Sequence, residues 1–215
     1  RLTDVTGVQT CALPICFIEL AKPLENTKGT SLFFNLAKKQ LLFSGQISCD
    51  YGRLEYLLVS LGGKAYESLI MAHISPGDLN VGCLAIGAKL PPEYDSRRYR
   101  GGEQLQPVWP RFKIEILYSK RDGTIVRDGV EKYILNQGTE KLMDEQLWAY
   151  TGSYFLMDED TEQKLWLADM TKNICAIFYD SSCLLQNTDP EWHNDDAYIV
   201  ENEKCPPVET GVLVL

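Results

Sequence analysis

LEYLLVSLGGKAYESLIMAHISPGDLNVGCLAIG, residues 54–87, is the stretch that decides the fold. Two apolar runs, 54–61 and 65–72, are rich in Leu, Val, Ile and Tyr and flank Gly62-Gly63. Glycine supplies the positive φ that a two-residue turn needs, so the spacing predicts an antiparallel hairpin. A helix is expected next. Ser75 stands at the N-cap, Pro76 suits the first helical position, and Asp78 sits where a capping-box acid belongs. Leu79, Gly82, Cys83 and Ile86 then share one face, and Gly87 is the stop, giving a helix over 76–87. Inside a helix Gly82 costs roughly 1 kcal/mol relative to alanine. Close packing of the helix backbone on a sheet is the expected compensation.

Short strand signals surround this unit. Residues 31–34 and 40–49 flank Ala37-Lys38-Lys39 and read as a hairpin. In 111–118, Phe112, Ile114, Ile116 and Tyr118 alternate with Arg111, Lys113 and Glu115, the cleanest period-two stretch in the chain. Asp122-Gly123 turns it into a strand over 124–127. Residues 147–157 read as one aromatic strand with Trp148, Tyr150 and Tyr154 on one parity and a bulge at Gly152. Its return partner is 164–168, across the acidic tip 158–162. Strands near 174–179, 183–185 and 211–215 complete the set. Segregated strands with one capped helix, and no β-α-β alternation, predict an α+β domain: a mostly antiparallel sheet with the helix at about 76–87 packed on it.

The chain has 215 residues, 45% hydrophobic and 24% charged, with net charge −9. These fractions match a globular core and exclude wholesale disorder or collagen. No run approaches the ~18 apolar residues of a membrane-spanning helix. The acidic balance argues against nucleic acid as a partner. Residues 5–15, VTGVQTCALPI, read residue for residue as the translation of a DNA sequencing adapter, with Cys16 a hybrid codon. Residues 1–16 are therefore set aside as non-native, and 17–215 are read as a single domain. Residues 1–16 are expected to hold no place in the core. Leaving out Arg1 and Asp4 does not change the net charge, and five cysteines remain: Cys49, Cys83, Cys175, Cys183 and Cys205. None forms a C-x-x-C pair, so the chain alone builds neither a zinc ribbon nor an iron–sulfur cluster. They read as buried fillers, with a Cys175–Cys183 disulfide as the alternative in an oxidising compartment.

Few groups are placed for chemistry. His73 and His193 lack metal-ligand spacing, and no G-x-S-x-G elbow accompanies them. Gly62-Gly63-Lys64 is followed by Ala65 and a strand, which excludes a phosphate loop. The acidic tip at 158–162 and the group Asp189, Glu191, Asp195 and Asp196 match no calcium loop and read as solvated. Residues 90–108 form a long aperiodic loop carrying Arg97, Arg98 and Arg100, the only basic focus on an acidic chain.

The order of segments is similar to the YdjY-type domain family of bacterial envelope-associated proteins, over roughly 32–215. The pieces that carry the resemblance are GQISC at 45–49, GKAYESL at 63–69 and SP at 75–76 with Leu79 and LAIG at 84–87. WAYTGS at 148–153 and NTDP at 187–190, with Pro206-Pro207 and Thr210, complete them. Tyr66 stands where the family pattern has histidine, which weakens any metal or proton role for that motif. The resemblance implies export across the inner membrane, to the periplasm or another extracytoplasmic space, with the leader upstream of the given sequence. Some relatives are associated with iron–sulfur electron-transfer proteins, which makes an accessory partner of one a further alternative.

The expected function is that of an exported, non-catalytic binding or assembly module without cofactor or metal, its partner an unidentified protein or small ligand. The rival is an envelope hydrolase or metal-dependent enzyme using Lys64, Glu67 and Ser68. On a strand Lys64, Tyr66 and Ser68 share a face and Glu67 points away, which favours the module. The candidate binding surface comprises Lys64, Glu67, Ser68, Trp148, Tyr150, Gly152 and Ser153. It is a shallow groove in which Trp148 is partly exposed, with the arginine loop as rim. The opposing expectation is that those aromatics are core.

Overall fold

A computed structural model of the chain describes residues 22–23, 32–90, 94–99 and 109–215. Residues 1–16, Ser31 and Arg100 lie outside these. Among the described residues the architecture is α+β: a large, mixed, mostly antiparallel curled sheet with one main helix.

The first strands are β1 (Lys22–Pro23), β2 (Phe33–Asn35) and β3 (Gln40–Ile47). The expected hairpin between β2 and β3 forms, with Phe33 opposite Leu42. The pairing around Gly62-Gly63 departs from expectation. Strands β4 (Tyr56–Ser60) and β5 (Ser68–Ala72) are neighbours but parallel, with Tyr56 opposite Ser68 and Ser60 opposite Ala72. The chain leaves β4 through Gly62 at φ +90°, turns through a 3-10 segment at Ala65–Glu67, and re-enters alongside β4. The reason is visible in β4 itself, which is buried at every residue. Leu57 and Leu58 belong to the main core, while Tyr56 and Val59 form a second cluster with Ala176 and Cys183. A strand covered on both faces needs a roof, and residues 61–67 supply it: Ala65 packs on the second cluster and the Lys64 ammonium lies 5.4 Å from the Tyr56 ring centroid. Gly63 permits the approach, because a Cβ there would stand 2.9 Å from the Val59 Cβ and 3.0 Å from the Lys172 carbonyl.

Helix α1 (Pro76–Ala85) forms as its sequence predicts. Ser75 Oγ accepts the Asp78 N–H at 3.0 Å. At the other end Gly87 takes φ +104°, and the N–H groups of Gly87 and Ala88 donate to the carbonyls of Leu84 and Cys83, closing a Schellman cap. Leu79, Cys83 and Ile86 enter the core. A Cβ on Gly82 would lie 2.7 Å from a Leu32 methyl, so the glycine lets the helix sit close on the β2–β3 hairpin.

The predicted strand at 111–118 is split into β6 (Arg111–Phe112) and β7 (Glu115–Ser119). After the expected turn at Asp122-Gly123, β8 (Ile125–Gly129) pairs with β7. A three-stranded sheet that the sequence reading missed contains β9 (Ile134–Asn136), β10 (Lys141–Leu142) and β16 (Tyr198–Val200). The aromatic stretch is also divided, into β11 (Trp148–Tyr150) and β12 (Phe155–Met157), the latter pairing with β13 (Lys164–Trp166) as a separate ribbon. Next come helix α2 (Leu167–Thr171) and strands β14 (Asn173–Ala176), β15 (Leu185–Gln186) and β17 (Gly211–Val214). The main sheet runs β6-β11-β15-β14-β4-β5-β3-β17-β7-β8. Residues 113–114 thus join its first strand to its last but one, and the sheet curls round the main core.

Gly45 lies on β3 opposite Ala72 of β5. A Cβ there would approach the Met71 carbonyl to 2.9 Å, and this is backbone that cannot rotate away. Gly45→Ala is therefore expected to destabilise by about 1 kcal/mol, overpacking outweighing the smaller chain-entropy gain. Urea unfolding measures it; a more stable variant would show that β3 and β5 can spread freely.

Candidate functional site

The motif residues meet, but not in the arrangement expected of a flat strand. The 3-10 turn brings Lys64 and Glu67 together: Lys64 Nζ is 3.5 Å from Glu67 Oε2 and 3.2 Å from Glu55 Oε2. Burial, followed by the hydrogen bond and charge of Glu55, raises the Glu67 carboxyl above its ordinary value against the pull of Lys64. Burial works against the Lys64 ammonium, yet Glu55 and then Glu67 outweigh it and raise its pKa. Ser68 is fully buried and its hydroxyl donates to the Lys64 carbonyl at 2.6 Å. A cleft of about 540 Å³ beside them is lined by Glu55, Tyr66 and Glu67 with Cys49 and Arg53, but not by Ser68. Acid and hydroxyl therefore do not converge on one substrate position.

The groove expectation is overturned. Trp148 is 0% exposed and its indole N–H donates to Glu131 Oε1 at 3.0 Å. Tyr150 is buried with its hydroxyl donating to Asn80 Oδ1 of helix α1. The short strand β11 lies inside the sheet between β6 and β15, and all three of its residues are buried. Gly152 (φ +73°) and Ser153 (φ +60°) make a break rather than a bulge and lead the chain out into the β12–β13 ribbon. There the Gly152 carbonyl accepts the Trp166 indole N–H, and Ser153 Oγ accepts the Ala168 N–H at 3.1 Å. Both positions of this motif serve the fold.

The remaining candidates are likewise occupied locally. Arg97 pairs with Asp95, whose carboxyl its hydrogen bond holds below the ordinary value, and lies 4.9 Å from the Tyr154 ring centroid. His73 is half-buried, its ring nitrogens 3.5 Å from Ser44 Oγ and 3.4 Å from Gln46 Oε1. Asp158 Oδ1 accepts the N–H groups of Asp160 and Thr161 within its own turn. Cys175 and Cys183 are free thiols in different clusters, not a disulfide. Among the described residues no three metal-ligating side chains gather.

A second cleft, also about 540 Å³, opens where the curled sheet meets the C-terminal end of α1. Its walls include Leu41, Phe43, Leu58, Leu79, Ile86 and Leu185, and the split between β6 and β7 runs along it through Pro110, Arg111 and Lys113. Sequence reading missed it, since its walls come from many separate segments. The alternation at 111–118 runs unbroken through 113–114 in the sequence and gives no sign of the interruption there along this wall.

Comparison with protein-family models, curated proteins and solved structures returns no match for this chain.

Proposed function

We propose that the chain is an exported, non-catalytic binding module whose ligand enters the cleft at the end of the curled sheet. The observation that carries this reading is an apolar-walled cleft of about 540 Å³, within the ~300–1,000 Å³ of small-ligand pockets. The hydrolase alternative needs Ser68 presented to a substrate, whereas its hydroxyl is buried against the Lys64 carbonyl. Export rests on the family resemblance alone.

A neutral apolar fluorophore, N-phenyl-1-naphthylamine, tests the site. One saturable equivalent is expected to bind. Gln40→Trp, which places bulk at a half-buried position on the cleft wall, should weaken binding about ten-fold or more while circular dichroism stays unchanged. Lys64→Ala should leave binding as it is. Absence of saturable binding, or equal binding by Gln40→Trp, overturns the proposal.

A further inference from the structure

The chain carries 21 basic against 30 acidic residues, yet the lining of the cleft at the end of α1 reverses that balance. Lys39, Arg111, Lys113 and Arg127 line it, with Glu115 as its one acidic residue. Glu115 answers two of them, Lys113 at 3.1 Å and Arg127 at 2.6 Å. Lys39 and Arg111 have no ion pair among the described residues. A cluster of uncompensated cations at the rim of an apolar slot, on a protein of net charge −9, is complementary to one kind of ligand.

We infer that this cleft takes a single-chain anionic amphiphile, its hydrocarbon tail among Leu41, Phe43, Leu58 and Leu185 and its carboxylate or phosphate head at Lys39 and Arg111. This rests on the cleft being a binding site, as proposed above. The opposite wall is consistent with it. The last carbonyls of α1 accept the Schellman hydrogen bonds of Gly87 and Ala88, so the helix end that lines the cleft has its own donors and the head lies on the strand side. Cys83, also in the wall, keeps a neutral thiol because burial pushes its pKa up to about 12. The tail therefore meets no charge along α1.

Displacement of N-phenyl-1-naphthylamine from the full chain by dodecanoate, dodecyl phosphate and dodecanol is the test. Both anions are expected to displace it at least ten-fold more tightly than the alcohol. Each methylene removed from the tail should weaken binding about four-fold. The double variant Lys39→Gln/Arg111→Gln should lose that anion preference and bind dodecanol as before; both positions are on the surface, so the fold is retained. The stronger of the two anions identifies the head group, and either result supports the inference. Dodecanol binding as tightly as the anions, or failure of all three to displace a probe that does bind, overturns the inference and leaves the cleft a binding site. If the probe itself does not bind, both fall.

Discussion

Trp148→Ala is expected to lower the free energy of unfolding by about 3–5 kcal/mol. The indole is the largest fully buried side chain in the molecule's described part. It sits on β11, with Phe112 of β6 opposite it and β15 on the other side. Truncation removes the buried ring, leaves a cavity that the flanking strands close only in part, and strips Glu131 of the indole N–H at 3.0 Å. A domain of this size holds about 5–15 kcal/mol in all, so the urea midpoint should fall steeply. Trp148→Phe separates the contributions. It keeps most of the ring and loses the donor, with an expected cost of about 1–3 kcal/mol. The same variant locates the residue spectroscopically, because the emission it removes should be the part that iodide does not quench. An alanine variant within 1 kcal/mol of the parent, or quenchable Trp148 emission, would return this residue to the surface.

The contrast between Trp148 and helix α1 explains what the sequence could disclose. Helix α1 is specified by local chemistry: Ser75 and Asp78 at one end, Gly87 at the other, and an apolar face between them. Each acts over a few residues, and each is in place. The Gly62-Gly63 turn depends on what lies above and below β4. Glycine permits a hairpin and a crossover alike; the burial of Tyr56 and Val59 in a second cluster, apart from the main core that takes Leu57 and Leu58, selects the crossover. An unbroken apolar run such as 56–59 is the mark of a strand covered twice, and that signal outweighs the glycine pair. Parity placed Trp148 and Tyr150 with Tyr154, but only Tyr154 lies past the break at Gly152 and Ser153. Lys64 and Glu67 meet because 65–67 winds as a 3-10 turn, which a strand reading cannot anticipate. The cleft at the end of α1 depends on the ring closing through 113–114, a long-range event with no short-range signature.

Glu131 is where burial and charge meet, and it should give the molecule a pH dependence opposite to that of an ordinary paired carboxylate. It lies in a 3-10 turn, Val130–Tyr133, and is almost wholly buried. Burial raises its carboxyl pKa above the usual 4.5, against the backbone N–H groups of Glu131 and Gln146 and the Trp148 indole, which favour the charged form. A folded-state value above the unfolded one means that the native chain holds the proton more tightly. The stability this contributes is fully present below the unfolded value and is lost as the pH rises through the folded one. Within that window the slope is about 1.4 kcal/mol per pH unit. Glu131→Gln carries no such proton. Other shifted carboxyls, Glu67 raised and Asp95, Glu115, Asp122 and Asp158 lowered, are common to both proteins and cancel in the comparison. The unfolding free energy of the parent minus that of Glu131→Gln should therefore fall as the pH rises above about 4.5 and level off once the native carboxyl is ionised. Urea titrations of the two proteins between pH 4 and 8 measure it. A difference that stays constant or rises would mean that the three donors around Glu131 already compensate the buried charge.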